Sequence, residues 1–130
     1  MTDASLIELA IEVRDKAYTP YSKFKVGAVV LTKEGKLFTG CNIESVSYSP
    51  TICAERVAIS KAISEGYGNI ETIAIVGSLS KISYPCGVCR QFIREFGENI
   101  RVIVGISPSQ YKVHTLKELL PYSFGPEAIK

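Results

Sequence analysis

The chain has 130 residues, 46% apolar and 22% charged, and its 15 basic and 13 acidic side chains leave a net charge of +2. That length suits one domain with a real core, so residues 1–130 are read as a single domain. The charge is too small to argue for a nucleic-acid or membrane-binding face, and no apolar run approaches the ~18–20 residues that span a bilayer.

The first ten residues, "MTDASLIELA", lack the basic region and long apolar block of a signal peptide, so the cytoplasm is the expected compartment. There the four cysteines are expected to be metal ligands or free thiols rather than structural disulfides. Leu6, Leu9, Ala10, Val13 and Ala17 recur at helical spacing, with Ser5 and Glu8 as a candidate capping box and Thr19 and Pro20 as the stop. "FKVGAVVLT" and "LFTGCNI" flank "KEGK", the pattern of a β-hairpin with glycine in its turn and a mostly buried first strand. "SVSYSPT" reads as a loop, after which Ser49 or Thr51 is expected to cap a helix running to about Gly66.

"TIAIVG" is a short apolar strand expected to be covered on both faces, and "SLSKISY" is a loop. Pro85 suits the first turn of the next helix and Gly97 its end. "IRVIVGI" is a second buried strand, "YKVHT" a short edge strand and "LKELLP" a final short helix. Strand, helix and strand between residues 72 and 106 form a βαβ unit, so those two strands are expected to be parallel. The expected fold is α/β, a three-layer α/β/α sandwich around a mixed, mostly five-stranded sheet. In such folds sites form where helix N-termini meet the carboxyl ends of strands, and two cysteine-bearing segments fall at helix N-termini.

Cys86 and Cys89 stand at i and i+3, on one face of a helix, where two thiolates can share an ion. The positive end of each helix dipole favours thiolate there, and at Cys53 in the same way. Soft thiolates suit zinc, and three protein ligands leave a fourth position for water, the pattern of a catalytic site. A redox pair, or a closed site with Cys41 or His114 as fourth ligand, is the alternative that spacing leaves open. Three thiolates over-neutralise Zn²⁺; Arg56, three residues from Cys53, is the expected compensating cation. Glu55, in the first turn of its helix, can reach back past the N-terminus toward a water on the metal and move protons.

"C-A-E" followed by "P-C-x-x-C" resembles the zinc-dependent cytidine deaminase family in its three-cysteine form. "AYTPYSKFKVGAVV", "CNIESVSY", "TICAERVAI", "PCGVCRQ" and "LLPYSFGP" are similar, in that order, to the small type that acts on free nucleosides in pyrimidine salvage. The resemblance implies that Cys53, Cys86 and Cys89 bind one Zn²⁺ per subunit. It implies hydrolytic deamination of cytidine and 2′-deoxycytidine to uridine and 2′-deoxyuridine, with ammonia released. Zinc-bound hydroxide would attack C4 while Glu55 shuttles protons.

By the same resemblance, Phe24 packs on the pyrimidine, Asn42 and Glu44 hold the ribose 3′-hydroxyl, and the backbone N–H of Ala54 contacts the base. Arg56 and Gln91 are implied to hydrogen-bond the ligating cysteines. A homotetramer with shared active sites is implied, with Tyr48 near the subunit contact and Phe124 closing a neighbour's pocket. A carboxylate at the 3′-hydroxyl would repel a 3′-phosphate, so a polynucleotide should fit poorly; with the small net charge, neither a nucleic acid nor a membrane is an expected partner.

The chain departs from the family at Ser45 and Val46, at Ser49 and Pro50, and at Tyr84, where a small residue is usual. These positions bear on substrate preference more than on reaction type. The rival readings are a deaminase of a cytosine-containing antibiotic nucleoside such as blasticidin S, and a non-catalytic zinc-stabilised binding protein with four protein ligands.

Overall fold

A computed structural model describes residues 1–129. Helix α1 spans Asp3–Arg14, and strands β1 (Gly27–Thr32) and β2 (Leu37–Cys41) form the hairpin, with Gly35 at φ 88° in its turn. Helix α2 (Ala54–Ser64), strand β3 (Ile70–Val76), helix α3 (Gly87–Arg94) and strand β4 (Arg101–Ser107) follow. Strand β5 (Gln110–Thr115), helix α4 (Leu116–Leu119) and a 3-10 turn over Pro126–Ile129 complete the described chain.

The five strands make one sheet in the order β2-β1-β3-β4-β5. Only β3 and β4 run parallel, with Ile73 beside Val102 and Ile75 beside Val104; the other pairs are antiparallel. A right-handed crossover is the normal route between parallel neighbours, and α3 lies on it. The mixed sheet expected from the sequence is therefore present.

Alternation along the central strands divides the core in two. Val29, Ala74, Val76 and Ile103 meet Leu6, Ile7 and Ala10 of α1 on one face. Val30, Ile73, Ile75, Val102 and Val104 meet Ala58, Ile59 and Ala62 of α2 and Ile93 of α3 on the other. Each large aliphatic side chain buried this way contributes about 1.5–3 kcal/mol against the entropy of ordering. This is the three-layer sandwich. No described helix is long and apolar enough to cross a membrane.

The helix ends differ from the sequence reading in ways that matter for the site. Thr2, not Ser5, caps α1, its hydroxyl accepting from Ser5 N at 3.1 Å. The helix stops at Arg14, short of Thr19 and Pro20, because Tyr18 is drawn into backbone pairing beside β2. Tyr18 N donates to Asn42 O at 3.0 Å and Glu44 N to Tyr18 O at 2.9 Å. Cys53 and Cys86 themselves occupy the N-cap positions of α2 and α3, in place of Ser49 or Thr51 for α2, and Pro85 precedes the cap of α3.

Gly40 allows α2 to sit directly on β2. A Cβ there would lie 2.5 Å from Ala54 O and from Ala58 N, so any side chain would push the helix start outward. The C-terminal tail is tied back by Arg94, a buried cation whose Nη2 pairs with Glu127 and whose Nε donates to Ser123 Oγ at 2.9 Å.

Candidate active site

The starts of α2 and α3 bring Cys53, Cys86 and Cys89 together, their sulfurs all within 4.8 Å of one another. Cys53 Sγ and Cys86 Sγ are 4.0 Å apart. A Zn–S bond of ~2.3 Å puts two sulfurs of a tetrahedral site ~3.8 Å apart, close to the Cys53–Cys86 separation, so the trio fits one zinc ion per chain. Because Cys53 and Cys86 are N-caps, the positive dipole ends of two helices lie beside the sulfur cluster, although neither thiol makes a capping hydrogen bond.

Among the described residues, no other group of three or more cysteine, histidine or acidic side chains meets at such distances. Cys41 is half-buried in β2, and His114 is engaged by Tyr84 and Glu118. A closed four-ligand site is therefore not formed. The trio leaves one tetrahedral position for a water or substrate atom.

The thiols polarise one another. Cys53 is held down at about 5, first by a hydrogen bond with Cys89 and then by the Arg56 guanidinium. Cys89 is pushed up by the same bond and by burial. Arg56 Nη2 lies 3.7 Å from Cys53 Sγ and 3.4 Å from Thr51 O. Arg56 thus places a cation beside the Cys53 sulfur. Its Nε is buried with no partner, so the guanidinium faces the sulfurs from within the protein.

Glu55 follows Cys53 by two residues and is only 4% exposed. Its carboxyl is raised to about 7, first by burial and then by the nearby Cys53 charge. A carboxyl balanced near neutrality can both accept and give a proton, the property a proton shuttle needs.

Cys53, Ala54, Glu55 and Cys86 form the floor of a cavity of about 300 Å³, and Phe24, Asn42 and Glu44 line its other end. Such a size suits a small molecule. Phe24 is 45% exposed and presents a ring to this space. Glu44 is fixed by three donors: Tyr21 N at 3.1 Å, Ser22 N at 3.2 Å and the Ser22 hydroxyl. The hydroxyl is the main reason its carboxyl sits below the usual range. Asn42 staples the Phe24 segment: Oδ1 accepts from Val26 N and Nδ2 donates to Phe24 O, both at 2.8 Å.

Three expected residues lie elsewhere. Gln91 Nε2 donates to Phe124 O at 3.1 Å, where the C-terminal segment meets α3. Tyr48 and Phe124, 72% and 67% exposed, do not line the cavity. Tyr48 sits at φ 62° in the loop and packs edge-on against Tyr21. Sequence reasoning missed Ser22, Val26, Ile75 and Ser83 as lining residues, while Tyr84, expected to bear on substrate preference, does line the cavity. Only Ser22 carried a usable signal, as a hydroxyl beside the aromatic Phe24 in a polar loop.

A model of the cytidine and deoxycytidylate deaminase zinc-binding region matches residues 1–106. The chain is 43% identical to the cytidine deaminase of Halalkalibacterium halodurans over 94% of its length and 93% of the relative's. It is 46% identical to a probable cytidine deaminase of Dictyostelium discoideum, over 93% and 82%. The fold superposes on the crystal structure of cytidine deaminase from Burkholderia pseudomallei with a TM-score of 0.90 at 43% identity, covering 95% of this chain and all of that one. With three converging cysteines and a buried glutamate at the same helix starts, the chain belongs to the zinc-dependent cytidine and deoxycytidylate deaminase family.

Proposed function

We propose that this chain catalyses the hydrolytic deamination of cytidine and 2′-deoxycytidine, giving uridine or 2′-deoxyuridine and ammonia. The carrying observation is the placement of Glu55, buried beside three converging cysteines on the floor of a nucleoside-sized cavity. Cys53, Cys86 and Cys89 are the zinc-binding residues, and zinc bound there supplies Lewis acidity and lowers the pKa of a bound water.

Glu55 takes a proton from the incoming water and delivers it to N3 of the base. It then takes the remaining water proton from the hydroxyl now on C4 and delivers it to the exocyclic amino nitrogen as the C4–N bond breaks, leaving a C4 carbonyl and ammonia with no stranded charge. Arg56 offsets the excess thiolate charge at Cys53. The N–H of Ala54, at the start of α2 and without an intrahelical partner, is free to donate to the base. Phe24 packs against the pyrimidine face.

Glu44, held ionised by its three donors, accepts from the ribose 3′-hydroxyl beside Asn42, whose amide also ties down the backbone of Phe24 and Val26. A 3′-phosphate meets a carboxylate there, which favours free nucleosides over polynucleotides. Residues 1–130 act as one catalytic domain in the cytoplasm, where reducing conditions keep the three thiols available for metal. The assembly is a homotetramer in which Tyr48 and Phe124 complete neighbouring sites; both are exposed and neither lines the cavity of its own chain, which supports this reading.

The test is a spectrophotometric assay of cytidine and 2′-deoxycytidine with zinc-loaded protein, run alongside blasticidin S. Efficient turnover of the two free nucleosides supports the reading. Preference for blasticidin S overturns the substrate assignment, and inactivity on all three overturns the activity.

A further inference from the structure

The segment 77–85 joins β3 to the start of α3 without regular structure, and it delivers Cys86 to the metal site. At its beginning Arg14 Nε holds Gly77 O at 2.6 Å, and Ser78 N donates to Ser83 Oγ at 3.2 Å. At its end Arg90 spans from Pro85 O to Leu119 O, at 2.7 Å to each. Tyr84 stands between these anchors. It lines the cavity, and its hydroxyl lies 3.2 Å from His114 Nε2 of β5, the ring centroids 5.5 Å apart.

His114 is itself oriented. Its Nδ1 faces Glu118 Oε2 at 3.6 Å, while the other oxygen of Glu118 accepts from Thr115 N at 2.9 Å in the capping box of α4. A carboxylate on that side favours the proton on Nδ1, which leaves Nε2 to accept from the Tyr84 hydroxyl. The chain of contacts runs from the cap of α4, through the edge strand, to a residue two positions from a metal ligand. Pro85 lies between Tyr84 and Cys86, and its fixed φ makes this link stiff, so a displaced Tyr84 displaces Cys86.

We propose that Tyr84 and His114 are positioning residues: their contact fixes the 77–85 segment, and with it both the cavity wall and the placement of the Cys86 sulfur. The inference rests on the zinc-site reading above. Its main readout needs no turnover, so it stands or falls separately from the assigned substrate.

The experiment follows zinc release from the holoenzyme to a chromogenic chelator for Tyr84→Phe, His114→Ala, their double variant and His114→Gln. Each single loss is expected to speed release roughly two- to ten-fold, the range one net hydrogen bond supplies. The double variant should release no faster than the faster single, and His114→Gln, whose amide oxygen can accept from the phenol, should restore most of the wild-type rate. With cytidine, Tyr84→Phe should lower kcat/KM in step with its faster zinc release, and His114→Gln should keep most of the wild-type value. Release changed by less than about two-fold, effects that multiply in the double variant, or no rescue by His114→Gln each overturn the proposal. Tyr84→Phe keeps the ring packing, so the test does not depend on His114→Ala folding well.

Discussion

The two ends of the cavity are built differently. The floor, Cys53, Ala54, Glu55 and Cys86 with the buried Cys89 behind it, stands on the first residues of two helices packed against the central strands; Glu55 is buried too. The mouth, Phe24, Glu44 and the nearby Tyr48, stands on loops, with Phe24 and Tyr48 largely exposed. Groups that move protons or bind metal need fixed geometry and low dielectric, which helix starts under a sheet provide. Groups that recognise a sugar sit where loops can vary, and exposed aromatics there leave room for a neighbouring subunit.

This contrast sets the order of expected effects. Cys89→Ser removes a buried ligand from the floor. Its zinc affinity should fall by more than the 10–100-fold typical of losing an outer partner, with turnover lost in parallel, as metal analysis and the deamination assay will read together. Next comes the cost of burying Glu55. Its folded carboxyl is raised to about 7, chiefly by burial, from an unfolded value near 4.5. The folded chain therefore holds the extra proton between those values, and this contribution to stability is lost as pH rises through the window.

In metal-depleted protein, Glu55→Gln should be as stable as wild type near pH 4 and more stable near pH 8, by on the order of 2–3 kcal/mol in urea unfolding. The Cys53 thiol, held down at about 5, acts in the opposite sense over higher pH and is common to both proteins. An unchanged difference across pH would show that Glu55 is not desolvated.

Arg56→Ala should weaken zinc binding by roughly 10–100-fold, measured by competition with a chelator, because a cation 3.7 Å from Cys53 Sγ is removed. At the mouth, Glu44→Gln should act mainly on KM, by about ten-fold or less, since the carboxylate is solvated and makes contacts common to ground and transition state. An effect on kcat as large as that on KM would erase the distinction between the two ends.

Much of the floor was legible because its chemistry is local. A cysteine before a short apolar-periodic run, and two more at i and i+3, mark helix starts that bind metal. Spacing showed the metal and the acid, and the family resemblance supplied the pyrimidine. The caps were misread because Ser49, Thr51 and Pro85 carry the usual propensities, whereas here the ligating cysteines take the N-cap places. The early end of α1 was hidden because the pairing of Tyr18 with Asn42 and Glu44 is long-range and overrides helical periodicity. The hydrogen bond of Gln91 to the Phe124 carbonyl was hidden for a similar reason: that partner arrives from residues far along the chain. The Tyr84–His114 contact joins a loop to an edge strand thirty positions away, and no local pattern announces it.

The most direct test compares wild type with Glu55→Gln in one preparation each, counting zinc per chain and ammonia released per cytidine consumed. Both proteins should hold one zinc, and wild type should release one ammonia per cytidine while the variant turns over roughly 10²–10⁴-fold more slowly. A zinc-loaded wild-type chain that releases no ammonia, or a Glu55→Gln variant that keeps pace with it, would contradict the central role given to Glu55 beside the three cysteines.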